Sequence, residues 1–133
     1  MKIRNWRYRL LIAIAVITIA SGAAQIVAPG FELSLLKVEL TATTEHLFAT
    51  IGMFMVLFGG VLAQSLGSVA PDPVVMFWTG AQKFGASAAV GLGVMHHIFS
   101  PLTLLVAAFD GGSGIVAIYY WRDLKQAASL RSL

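Results

Sequence analysis

The chain has 133 residues, of which 58% are hydrophobic and 11% charged, with a formal net charge of +3 and no cysteine. A water-soluble domain of this length cannot hide that much apolar surface, so a soluble globular class is excluded. The missing thiol removes disulfides, thiolate metal sites, CxxC redox chemistry and a Cys nucleophile, and basic residues gathered at the two ends beside apolar runs point to membrane anchoring, not nucleic acid.

The first apolar run, Leu10 to Val27, follows Lys2, Arg4, Arg7 and Arg9 and carries no charge, which is about the minimum length for a spanning helix. Ala28-Pro29-Gly30 marks its end. The same features, with the small residues Ser21-Gly22-Ala23-Ala24, also read as a cleaved signal peptide, although the run is long for one. From Phe31 to Thr44, apolar residues alternate with Glu32, Lys37 and Glu39, a mixture too polar to span. It predicts a short segment lying on the membrane surface.

A second span is predicted from about Leu47 to Leu66, begun through Thr43-Thr44-Glu45, whose hydroxyls and carboxylate suit a helix start. The turn formers of Gly67 to Pro73 follow, with Pro73 placed for the first turn of a third span, Val74 to His97. Ala81, Gly85, Ala89 and Gly93 recur in that span at a spacing that lays a small-residue stripe for another helix. Ser100-Pro101 breaks the chain before a fourth span, Leu102 to Trp121, which ends in the aromatic belt Tyr119-Tyr120-Trp121 ahead of Arg122 and Lys125. Lys and Arg dominate both ends, against Lys37 alone in the first connection. Both termini are therefore expected in the cytoplasm, in a bacterial inner membrane, and the expected fold is an all-α integral membrane antiparallel four-helix bundle forming a single domain.

Lys83 and Asp110 are the most informative residues, because each lies inside an otherwise apolar span where an isolated charge is costly. At ~1.5 Å per residue, Lys83 falls roughly 15 Å from the start of its span and Asp110 roughly 13 Å from the start of the next. In a ~30 Å hydrocarbon layer both land near the middle. A buried ion pair is expected, supported by hydrogen bonds from Gln82 and Ser113. Such a pair either locks two helices in register or serves a proton or ion pathway.

Glu45 and His46, at the start of span two, and His96 and His97, at the end of span three, share one side of the membrane. Histidine and carboxylate at one level suit a transition metal, and His46 facing His96 or His97 suits a b-type haem. The plainer reading makes them polar caps at helix ends. Gly59-Gly60, Gly91, Gly93 and Met53-Phe54-Met55 read as packing features, and the GxG at Gly91 to Gly93 lies inside an apolar span, where it is no nucleotide fingerprint.

The four-span layout, the polar start Thr44-Glu45-His46-Leu47 followed by Gly52 and Gly59-Gly60, and the segments Gln82-Lys83-Phe84-Gly85 and Phe109-Asp110 resemble the small four-helix membrane proteins of the DoxX-like group. The resemblance implies a compact antiparallel bundle without an established activity. The expected function is that of a non-enzymatic structural or accessory component, partnered by the lipid bilayer and by itself or a larger membrane complex. Two alternatives stand beside it: a haem- or metal-binding redox accessory protein, and a small proton-coupled transporter using Lys83 and Asp110.

Overall fold

The computed structural model describes residues 5–131; Lys2 and Arg4 of the basic stretch lie outside them. All the regular structure among the described residues is helical. The order is α1 (Trp6–Val27), α2 (Pro29–Leu35), α3 (Ala42–Gly67), α4 (Pro73–Met95), a 3-10 turn (Pro101–Thr103) and α5 (Leu104–Leu130).

Local chemistry sets the ends, and several lie outside the expected limits. Asn5 caps α1 by accepting the Tyr8 N–H at 3.0 Å, so the helix begins at Trp6 instead of Leu10. Pro29 opens α2 at its first turn instead of simply terminating α1. Thr41 and Thr44 form a reciprocal capping box that starts α3 at Ala42, ahead of Leu47. Asp72 accepts the Val74 N–H at 2.8 Å and Pro73 occupies the first turn of α4. The last helix runs past Trp121 to Leu130, because nothing in Arg122 to Leu130 breaks a helix.

The helices α1 and α3 cross most closely at Gly22 and Gly52. A Cβ on Gly22 would stand 2.5 Å from the Gly52 carbonyl oxygen, and one on Gly52 would stand 2.6 Å from that of Gly22. Further along, Gly59 takes Ile19 and the Tyr8 hydroxyl donates to the Leu66 carbonyl at 3.1 Å, an order that makes the pair antiparallel. A second antiparallel pair joins α4 to α5, through Gly80 against Ile118 and the Ser87 hydroxyl donating to the Ala107 carbonyl at 2.7 Å. The pairs meet where α1 begins and α5 ends. There Arg7 Nη1 donates to both Asp123 oxygens at 2.6 Å, Asn5 Nδ2 donates to Oδ2 at 2.9 Å, and the Tyr8 and Tyr120 rings lie 6.3 Å apart.

The main buried cluster sits at this same end, built from Tyr8, Leu11, Leu62, Leu66, Met76, Tyr120 and their neighbours. Recurrence at i, i+3, i+4 and i+7 explains which faces turn inward: Leu11, Ile14, Ala15, Thr18 and Gly22 on α1, and Ala107, Asp110, Ser113, Gly114 and Ala117 on α5. The small-residue stripe expected on α4 does not receive a helix. Gly85 meets nothing within 4 Å, Gly85 and Ala89 are exposed, and Gly93 receives Phe99. The packing face is set instead by Met76, Gly80 and Lys83, a quarter-turn around.

Large apolar side chains, among them Val16, Ile51, Phe54, Leu57 and Leu105, face outward. Three segments, Trp6–Val27, Ala42–Gly67 and Pro101–Leu130, are long and apolar enough to cross a membrane, which marks a membrane protein. The fourth long helix, α4, has 23 residues but carries Gln82 and Lys83 side by side at its centre, and it is the less apolar for them.

Candidate functional site

Above the packed end, the two helix pairs and α2 line a partly open cavity of about 570 Å³. Its floor is the expected pair of charges. Lys83 Nζ donates to Asp110 Oδ1 at 2.8 Å, with the two residues only 3% and 8% exposed. A second Nζ hydrogen bond goes to Thr18 Oγ1 at 3.0 Å, and the ammonium lies 5.3 Å from the Phe109 ring centroid. Helices α1, α4 and α5 are thus tied at one point.

The supporting partners differ from those expected. Neither Gln82 nor Ser113 bonds to the pair: Gln82 lines the cavity and Ser113 is buried on the α5 face below Asp110. The partner is Thr18, one of two hydroxyl residues, with Ser21, in the first apolar run. Its only signal in the sequence is that it shares a helical stripe with Leu11, Ile14 and Gly22. Beneath the floor, Thr18, Thr79, Gln82 and Lys83 border a void of about 10 Å³, room for about one water.

The walls come from all the long helices. Ala24 and Gln25 project from α1 and Ala28 from its C-cap, Phe48, Ile51 and Met55 from α3, Ala86 and Val90 from α4, Thr103 from the 3-10 turn and Val106 from the start of α5. The short helix α2 lies over the top with Phe31, Glu32, Leu35 and Leu36. It is held there because Leu33 is buried and because the Leu36 carbonyl accepts the Ser100 N–H at 3.2 Å, which joins it to the loop before α5. Its end is closed by Lys37 in the left-handed region, φ 56°, with Lys37 N–H bonded to the Ser34 carbonyl and Val38 N–H to that of Leu33.

Two polar groups in this lining lack partners. Thr103 Oγ1 and Gln25 Oε1 are buried without a hydrogen bond, and Thr103 is 3% exposed. Thr103 ends the 3-10 turn with helical backbone that runs on into α5, and its hydroxyl makes no capping bond. At the roof, burial pushes the Glu32 carboxyl above its ordinary value of 4.5.

The residues considered for haem or metal lie at the ends of α3 and α4. His46, His96 and His97 are exposed. His96 is the C-cap of α4, and His97 takes the left-handed position after it at φ 59°. Its N–H reaches the Val94 carbonyl and that of Ile98 the Gly93 carbonyl, completing a Schellman turn. Glu45 leans toward the start of α2, where its Oε1 would lie 3.1 Å from a Cβ on Gly30. Among the described residues no three His, Asp or Glu side chains gather in a group that fits a metal ion.

The site therefore joins an apolar chamber of small-molecule size to a charge-balanced floor and to two hydrogen-bonding groups left open. Among known proteins, no family model, no curated sequence and no solved structure matches the chain.

Proposed function

We propose that the chain is a four-span integral membrane protein, α4 included, that works as a non-enzymatic binding component: it holds an apolar or amphipathic small molecule in the cavity under α2. The observation that carries this is the cavity itself. Its volume of about 570 Å³ falls in the ~300–1,000 Å³ range of small-molecule sites, and an apolar lining with a few placed polar groups is their usual make-up.

As a span, α4 at 23 residues reaches ~34 Å, enough for a ~30 Å hydrocarbon layer. Its one charge is neutralised by Asp110, which removes the main obstacle to burial in lipid. With the ends of the chain on the cytoplasmic side, as the distribution of Lys and Arg favours, the cavity opens in the outer half of the membrane. Holding a ligand there fits an accessory role in a larger membrane complex, in keeping with the resemblance to the DoxX-like group. A relay through the pair is the weaker reading, since below Lys83 and Asp110 the interior passes into the apolar cluster of Leu11, Leu62, Met76 and Tyr120.

The test is a cavity-filling change, Ala86→Trp, in protein purified in mild detergent, with small molecules extracted from each preparation and identified by mass spectrometry. The wild type is expected to release one species near one per chain, and the variant to lose it while keeping its thermal stability. Equal content in both preparations overturns the proposal.

A further inference from the structure

Resting on that binding reading, we propose that the guest is an uncharged amphiphile whose head both donates and accepts hydrogen bonds, as an alcohol or primary amide does, and that Gln25 and Thr103 are the residues that recognise it.

The charge of the cavity argues first. Lys83 is the sole cation of the lining, and it is engaged by Asp110 at 2.8 Å, by Thr18 at 3.0 Å and by the face of Phe109. An anionic head would share the one ammonium with Asp110, setting two anions against a single cation and leaving a net negative charge buried, which is costly in an apolar chamber. A cationic head finds only Glu32 unpaired by a cation, and burial already disfavours the charged form of that carboxyl. Neither charge is matched, whereas a neutral head disturbs nothing.

The polar groups argue second. Buried hydrogen-bonding atoms are nearly always paired, yet Thr103 Oγ1 and Gln25 Oε1 line the cavity without partners. Thr103 has helical backbone where the 3-10 turn runs into α5, so its hydroxyl is not taken up as a cap. These two residues also share a level. Gln25 lies two turns beyond Thr18 on α1, and Thr103 two turns before Asp110 on the antiparallel α5, so both stand roughly 10 Å from the floor at ~1.5 Å per residue. They form a polar collar with apolar wall between it and the ion pair, from Met55, Ala86 and Val106. A hydroxyl gives and takes hydrogen bonds, as does an amide side chain, so a head with one donor and one acceptor satisfies both. The volume suits one chain or a small ring system.

The experiment uses four probes of equal chain length, namely dodecane, dodecanamide, dodecanoate and dodecylammonium. Each is titrated against the full chain in detergent at neutral pH and read by native mass spectrometry. Dodecanamide is expected to bind one per chain and about tenfold more tightly than either charged probe; Thr103→Val and Gln25→Leu should each weaken it about fivefold while leaving dodecane unchanged. Should one variant fail to fold, the other variant and the probe series still decide. If dodecanoate or dodecylammonium binds as tightly as the amide, or both variants bind the amide normally, the head-group assignment is overturned and the cavity reading stands. If no probe binds, or if all bind equally well to Ala86→Trp, the cavity reading falls and this inference with it.

Discussion

Breaking the floor of the cavity on one side only should cost far more than removing it altogether. In Lys83→Met, Asp110 remains 8% exposed with its cation gone, and in Asp110→Leu the ammonium keeps only Thr18 and the Phe109 face. Stranding a buried charge in this way is worth ~3–5 kcal/mol. In the double variant both desolvation costs vanish with the attraction, and apolar side chains of similar volume fill the space. Its stability should fall within ~1 kcal/mol of the wild type, the remainder reflecting the lost bond to Thr18. The two single changes would then overshoot the double by several kcal/mol, a coupling far above the ~0.3–0.5 kcal/mol seen for independent sites. Equilibrium unfolding in mixed micelles of mild and denaturing detergent measures all four corners of the cycle. Additive effects, with the double variant as unstable as the sum of the singles, would refute the claim that this pair holds α4 to α5.

The close crossing of α1 and α3 gives a second expectation. Gly22→Ala would push a Cβ to 2.5 Å from the Gly52 carbonyl oxygen and 2.9 Å from the Val56 nitrogen, so thermal unfolding should show a loss of ~1–3 kcal/mol; Gly60→Ala, which meets nothing within 4 Å, should gain up to ~1 kcal/mol from helix propensity. Lys37 and His97 hold φ of 56° and 59°, a region costly for side chains with a Cβ. Lys37→Gly and His97→Gly should therefore each stabilise the chain by roughly 1 kcal/mol, and a loss at His97 would show that its imidazole has work beyond the cap. The Glu32 carboxyl is raised above 4.5 by burial. Its contribution to stability is then complete below pH 4.5 and lost as pH rises through the raised folded value. Melting followed from pH 4 to 8 should show a decline that Glu32→Gln flattens.

The sequence carried the polar layer but not what lies above it. Lys83 and Asp110 announce themselves because a charge inside an apolar run must find a partner, and the rise per residue along antiparallel helices sets both at one depth; they meet at 2.8 Å. Pro73 after Asp72 likewise marked the start of α4, since both residues have a local role at a helix N-terminus. Thr18 and Thr103 gave no such signal. A hydroxyl in an apolar helix can satisfy itself on its own backbone, so only the packing tells which hydroxyl is spent and which is left open. The α4 stripe misled for a related reason: small residues permit close approach without requiring it, and Met76, Gly80 and Lys83 fixed the face that α5 covers. The cavity follows from the splay of two helix pairs, a property of no single segment.

That splay explains why the charged pair sits where it does. Toward the chain ends the interior is closely packed, with Leu11, Leu66, Met76 and Tyr120 almost wholly buried; a charge there would displace apolar contacts and find no partner. Toward α2 the helices line the cavity, and a charge there would stand among apolar walls with no partner from a facing helix. Lys83 and Asp110 occupy the boundary, where three helices still come close enough for Thr18 to complete the shell. Tying α1, α4 and α5 at that level lets the region above stay open while the region below stays packed. The one lysine of α4 thus has a structural place: it gives the cavity a bottom and, paired with Asp110, holds α4 to α5.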